Sequence, residues 1–529
     1  MSPPDDLDRL SSAELKDLIV RQHEQIVELH RLVAALRDEI ARLKGGPGRP
    51  NIKPSGMEKA TEPKPPGNTG NKKRRRGSTR SRVTIDEERT VKVAAPPCGS
   101  RFKGYTSYLV QDLVIHAHVV NFRRERWQNP DGEVVTAPLP AGIDGHFGPQ
   151  LRRFVLAQYH EAQTTMPRLV KLLHSFGLCI SKRQVVRLLI EGQDGFVSEA
   201  REVLRAGLSS APWITVDDTG ARHKASNGFC TQMGNAHFTW FGTTGSKSRL
   251  NFLELLRAGY DDYVVNAEAL AYMRERALAA HVLDRLAGHP DRHFCDRKTW
   301  NAHLNGLGIT ALKVSPDPVQ IATEGALWGS VKAHGLLPGT VIVSDDAGQF
   351  NVGPHGLCWV HAERLVHKLD TFTDQHRTAQ AAIRDLIWKF YADLKAWRCV
   401  PTPEGKAALQ ARFDSIFTRK TGFVTLDRLL ARLHANKTEL MMVIERPEIP
   451  LHTNGSESDI RSHVTRRKLS GGTRTDTGRN CRDAFLSLLK TCAKLKIAFW
   501  DFLGDRLAVP GAKPIPYLPE IVRATAHAT

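Results

Sequence analysis

Two short apolar runs, each ending in a pair of aspartates, constrain this chain more than any other feature. Trp213-Ile214-Thr215-Val216 leads into Asp217-Asp218-Thr219-Gly220, and Thr340-Val341-Ile342-Val343-Ser344 leads into Asp345-Asp346-Ala347-Gly348. Runs of this length, rich in β-branched residues, read as buried strands. Side by side, two such strands point two carboxylates into one volume of space. Charges that close repel and raise each other's pKa unless a divalent cation lies between them. Ligands that are all oxygen select a hard ion, Mg2+ or Mn2+. Asp-Asp after a single strand is better read as the start of a turn, so the argument rests on its repetition. A third acidic segment, His452-Thr453-Asn454-Gly455-Ser456-Glu457, reads by itself as a capping box with Asn454 as cap and Glu457 at N3. Pattern alone does not separate that from a metal-ligand role.

Charge narrows the partner. Lys and Arg number 75 against 56 Asp and Glu, a net +19 in 529 residues, while 41% hydrophobic content leaves enough apolar mass for a core. Such a surplus favours a polyanion, nucleic acid before membrane. The eight cysteines, Cys98 among them, form no CxxC pair and hence no zinc-ribbon spacing or disulfide framework. The first ten residues do not resemble a signal peptide, and no apolar run approaches the ~20 residues of a membrane span. A cytoplasmic protein with reduced thiols is expected.

The N-terminal region reads as a zipper followed by a tether. Leu15, Ile19, Gln22, Ile26, Leu29, Val33, Leu36, Ile40 and Leu43 alternate steps of four and three, a seam that keeps facing a partner helix only in a left-handed coiled coil. The spacing predicts a parallel homodimer. From Gly45 to about Ser81 little can be buried, so a disordered tether is expected. Near its end Lys72, Lys73, Arg74, Arg75 and Arg76 form a run suited to phosphate backbone. Residues 83–145 read as short strands at Val83–Ile85, Thr90–Val93 and Tyr108–Val120, with a turn at Asn129-Pro130-Asp131-Gly132. Helices are expected at roughly 147–160, 164–175 and 181–193, the last capped by Ser181. Lys182, Arg183 and Arg187 on that third helix would suit a helix-turn-helix reader, although small helical bundles often look alike without touching DNA.

Several stretches resemble transposases of the insertion sequence sixty-six family, the proteins called transposase C. The family's aspartate after the first core strand is matched by Asp217, and the one after its fourth strand by Asp345. The Cys-Trp-x-His-Ala-x-Arg stretch that follows is present as Cys358-Trp359-Val360-His361-Ala362-Glu363-Arg364. The Asn-x-x-Glu that opens the catalytic helix is matched by Asn454 and Glu457, with the family's arginine at Arg461. The zipper and basic tether come in the family's order too. Two departures stand out: only Cys98 occupies the family's zinc segment, and the usual Asp-Gly after the fourth strand is Asp345-Asp346, leaving open which acid is the ligand. Asp218 stands where the family tends to have Glu.

The resemblance implies an α/β multi-domain protein with a ribonuclease H-like mixed sheet flanked by helices. It implies a DDE-type transposase, with Asp217, Asp345 and Glu457 as catalytic residues holding Mg2+ or Mn2+. Arg461, Arg466, Arg467 and Lys468, on the helix beside that site, would grip double-stranded DNA at element ends and target. His355-x-x-Cys358-x-x-His361 offers three local zinc ligands and no evident fourth, so His361 and Trp359 are expected to pack the helix that carries them. The domains expected are a coiled coil (1–45), a basic tether (46–82), a small β-rich domain (83–145) and a helix-turn-helix-like domain (146–205). They continue with the first part of the catalytic core (206–372), a helical insertion (373–448), the last core helices (449–510) and a tail (511–529). Action in the bacterial cytoplasm or nucleoid follows, and accessory proteins of the same element are an open class of partner. Two other readings stand beside this one: a ribonuclease H-like nuclease or resolvase that cuts without joining, and a dimeric DNA-binding regulator with an inactive core.

Overall fold

The computed structural model describes residues 85–94, 98–140 and 145–527, together with Met57. The heptad seam and the basic run Lys72–Arg76 lie outside the described residues. In the unit spanning 61–529, the chain first makes a small hairpin, Arg126–Gln128 against Val134–Thr136. Its turn is the expected one: Gly132 takes φ +86° and donates its N–H to the Asn129 carbonyl at 3.0 Å. The strands expected at Thr90–Val93 and Tyr108–Val120 do not form. β-branched composition gives a segment strand propensity, but a ladder also needs a neighbour. Here Val110, Leu113, Val114 and Val119 stand exposed.

Three helices follow, α1 (Pro149–His160), α2 (Met166–Ser175) and α3 (Lys182–Ile190). Ser181 accepts from the Gln184 N–H at 3.2 Å while the Gln184 side chain accepts from the Ser181 N–H at 2.8 Å, a reciprocal cap. Gly177, at φ +83°, turns the chain between α2 and α3.

Helix α4 (Asp194–Ser210) delivers the chain to the central sheet. The sheet contains β1 (Trp213–His223), β2 (Ser226–Gly234), β3 (Thr239–Thr244), β4 (Val341–Ser344) and β5 (His355–Leu357), in the spatial order β3-β2-β1-β4-β5. The first three form an antiparallel meander; β4 and β5 run parallel to β1. Between β3 and β4 lies a mainly helical excursion ending in α5 (Pro318–Ala333), buried along most of its length. Ile214, Val216, Met233 and Ile342 of the sheet join α4 and α5 in the main core.

After β5 come α6 (Trp359–His367) and three helices of the expected insertion, α7 (Asp374–Cys399), α8 (Pro403–Phe417) and α9 (Val424–Ala435). Trp359 anchors them: it is buried, its ring centroid lies 5.1 Å from Phe390 and 6.2 Å from Phe417, and its indole N–H donates to the Leu440 carbonyl at 2.8 Å. Helices α10 (Asn454–Ser470) and α11 (Asp476–Lys494) then return to the sheet. Helix α11 covers the edge strand β3, where Ser487 Oγ accepts from the Phe241 N–H at 2.9 Å and Thr491 Oγ1 from the Thr239 N–H at 3.1 Å. An edge covered in this way offers no free ladder at those groups to another chain.

Candidate active site

Register sets the two aspartates side by side. In the parallel pair, Trp213 faces Val341, Ile214 faces Ile342 and Thr215 faces Val343. Two steps beyond the last rung, Asp217 and Asp345 are therefore level, on neighbouring chains that lie about 4.8 Å apart in a sheet.

Alternation decides which acid of the first pair faces the site. Successive side chains of a strand point to opposite faces. Ile214 and Val216 enter the main core, and Asp218 follows them. It pairs with Lys247 and accepts from Gln349 Nε2 at 2.8 Å. On the other face Thr215 Oγ1 lies 2.6 Å from Ser456 Oγ, and Ala221 packs with Ile460. Ser456 and Ile460 both belong to α10, so Asp217 shares the face that this helix covers. In the second pair, Asp346 turns to Arg432 and Asn436 of the insertion. Asp345 only accepts the Ala347 N–H at 3.2 Å. Among the described residues neither Asp217 nor Asp345 has a cation within ion-pair distance, whereas Asp218 and Asp346 both do.

Glu457 reaches the same region from α10. The expected capping box is absent: Thr453 precedes the helix without a side-chain cap, which places Glu457 one residue beyond N3. Its carboxylate instead lies 3.2 Å from Arg364 Nη1, 3.4 Å from His361 Nε2 and 4.0 Å from Arg461 Nη2. The helix is held in place by Asp459, which accepts from Thr239 Oγ1 at 2.7 Å and pairs with Lys494 at 2.9 Å.

Burial dominates the electrostatics of the two aspartates, and neighbouring acids add to it. Burial pushes the Asp217 carboxyl up to about 6, and the charges of Asp345 and Glu457 push the same way, against the Asp218 N–H and His361. Asp345 is raised as well, by burial first and by Asp218 among its neighbours, with His361 opposing. Burial alone would lower His361, but its bond to Cys358 and the Glu457 charge raise it above the ordinary histidine value. His361 therefore lies among the acids, which corrects the expectation that it merely packs its helix; Trp359 packs as expected. His355 is bound elsewhere, with Nε2 2.8 Å from Ser344 Oγ, and the His355-Cys358-His361 set forms no metal-sized group among the described residues.

The residues present fit a divalent ion. Two level carboxylates without cations suit it, and so does Gln232, which stands opposite Asp217 on β2. Its amide is fully buried and both polar atoms lack a protein partner, as expected for a group that meets a bound ion's water shell. The three acids are not drawn tight: their oxygens do not all lie within 4.8 Å of one another, and Glu457 is paired with Arg364.

The basic residues divide. Arg461 and Lys468 are exposed, as are Lys182, Arg183 and Arg187 on α3. Arg466 lies 3.5 Å over the Tyr159 ring and donates to the Thr164 carbonyl at 3.3 Å. Arg467 donates to the Gly220 carbonyl. These last two guanidinium groups are engaged within the protein. Sequence reading missed Lys247, Gln349 and Gln232 as site residues. Arg364 figures there only as part of the family stretch, although its i, i+3 spacing from His361 puts both on one helix face.

The class of protein is given by comparison with known families: it is that of the transposases. The family model described as "Transposase IS66 family" matches residues 339–480, a span that includes Asp345, His361, Arg364 and Glu457. A protein of Sinorhizobium fredii (strain NBRC 101917 / NGR234), the uncharacterized protein y4jO, is 51% identical over 324 residues, covering 61% of this chain and 100% of that relative. The chain belongs to the IS66 transposase family.

Proposed function

We propose that this chain is a DDE-type DNA transposase that cleaves the ends of an insertion element and joins them to target DNA. The reading is carried by Asp217 and Asp345, level on adjacent parallel strands and free of cations, with Glu457 facing them from α10. The strand order β3-β2-β1-β4-β5, with an antiparallel meander beside parallel strands, supports a ribonuclease H-like core. Asp217 and Asp345 would hold Mg2+ or Mn2+, and Glu457 would complete the set once it leaves Arg364. Bound there, divalent ions activate an attacking oxygen and stabilise the leaving one in phosphoryl transfer.

The chain's own residues contribute position and charge. Asp218 and Asp346 are neutralised by Lys247 and Arg432, so the ion-binding charge is confined to their neighbours. Arg461 and Lys468 are placed to meet the DNA backbone beside the site, and Lys182, Arg183 and Arg187 of α3 give a second basic face. Lys72–Arg76 and the zipper of residues 1–45 would add DNA contact and a homodimer. Among the described residues no helix is long and apolar enough to cross a membrane, and we place the protein on DNA in the bacterial cytoplasm.

The test is an oligonucleotide carrying an element end, incubated with Mg2+ and target DNA. Wild type is expected to nick the end and transfer its 3′-hydroxyl. Asp217→Asn should do neither while binding the end with unchanged affinity. Cleavage without any joining by wild type would favour the nuclease reading. Undiminished cleavage by the variant would remove Asp217 from the mechanism.

A further inference from the structure

A second group of ligating side chains lies on the same face of the sheet and shares no residue with the three acids. Cys230 of β2, His463 of α10 and Asp483 of α11 are all buried, and one ligand atom of each lies within 4.8 Å of the others. His463 is 2% exposed, yet neither ring nitrogen has a hydrogen-bond partner. A buried imidazole has at least one N–H to satisfy, and leaving it bare is unfavourable. Asp483 has an oxygen to spare: Arg482 donates through Nε at 2.9 Å and Nη2 at 2.8 Å, both to Oδ1.

We propose that Cys230, His463 and Asp483 Oδ2 bind a zinc ion. One sulfur, one nitrogen and one oxygen are a zinc set rather than a magnesium set. Tetrahedral bonding would place the ligand atoms roughly 3.3–3.8 Å from one another. The fourth position falls to water. His463 also lines a cavity of about 20 Å³ with His160, Gln163, Arg466 and Arg482, large enough for a single water molecule. There His160 Nε2, Gln163 Oε1 and Arg466 Nη2 also lack protein partners. Burial and the Asp483 charge hold the Cys230 thiol protonated in the apoprotein. Zinc binding replaces that proton, which passes to solvent, and leaves a zinc-thiolate bond. Arg482, fixed on Oδ1, then orients the ligating carboxylate from outside.

The ion would tie α10, the helix that carries Glu457, to β2 and α11. It is a separate centre from the carboxylate site, so its test reads metal rather than activity. In an Asp217→Asn/Asp345→Asn background, which removes the carboxylate site, the purified full chain reconstituted with zinc should hold about one zinc per chain. Cobalt substitution should give the absorption of tetrahedral cobalt with a thiolate charge-transfer band. Cys230→Ser should lose that band and most of the zinc, while the exposed Cys98→Ser should retain both. Zinc in the background protein no higher than in its Cys230→Ser derivative, or a cobalt spectrum without a thiolate band, would overturn the proposal, whether or not the Ser variant folds.

Discussion

Asp217 carries an electrostatic cost in its ionised form. Its carboxyl is pushed from 3.8 up to about 6, so the folded protein binds this proton more tightly than the unfolded chain. A raised carboxyl contributes stability that is fully present below about pH 4 and is lost as pH rises through about 6. In metal-free protein Asp217→Asn should therefore be the more stable variant above pH 6, by up to about 3 kcal/mol at 1.36 kcal/mol per pKa unit, with the gain absent near pH 4. Urea denaturation with chelator at the two pH values checks this, and a variant no more stable than wild type at pH 7.5 would contradict it. Adding Mg2+ should narrow the difference, because the ion binds only the folded carboxylate. Asp218 behaves otherwise. Its charge is met by Lys247 and Gln349, so Asp218→Asn should keep cleavage within about tenfold of wild type, about 1.4 kcal/mol of barrier. A loss as deep as that of Asp217→Asn would show that the wrong acid has been assigned.

At the scale of elements, the site depends on α10 lying against β1. The buried Thr215–Ser456 contact at 2.6 Å ties the strand that carries Asp217 to the helix that carries Glu457, as does the bond from Arg467 to the Gly220 carbonyl. Ser456→Ala should cost about 1 kcal/mol of stability. It should also lower the cleavage rate while leaving affinity for DNA ends intact; a variant that lost end binding instead would place Ser456 in DNA recognition. The insertion is pinned at Trp359, where truncation to Ala should cost about 3–5 kcal/mol, measured by thermal or chemical unfolding. Much of this was legible in the residues. The apolar runs at 213–216 and 340–344 marked β1 and β4, and Ser181 marked the start of α3. The parallel register that levels Asp217 with Asp345 was not legible, because it is fixed by strand pairing across a long excursion. Nor was the Glu457 environment: Asn454 and Glu457 have the spacing of a capping box, and only the packing of α6 against α10 directs the carboxylate to His361 and Arg364. Tyr108–Val120 failed in the opposite sense, with strand composition and no neighbour to pair with.

For the whole molecule, the +19 charge becomes a statement about DNA once its placement is considered. Arg461, Lys468, Lys182, Arg183 and Arg187 are exposed, whereas Arg466 and Arg467 are engaged with Tyr159, Thr164 and Gly220. Each phosphate contact removed lowers the slope of log affinity against log salt by about 0.9. Arg461→Ala and Lys468→Ala should each show that loss on any duplex, while Arg467→Ala should lower stability and leave the slope unchanged. Salt titrations of end binding separate the two groups. The central claim, that Asp217 is a ligand of a shared divalent ion, is tested most directly by changing the ligand and then the ion. Asp217→Cys should be inactive with Mg2+, which binds thiolate poorly, and should recover strand cleavage with the softer Mn2+. Cleavage by Asp217→Cys at the wild-type rate in Mg2+, with no preference for Mn2+, would contradict the account.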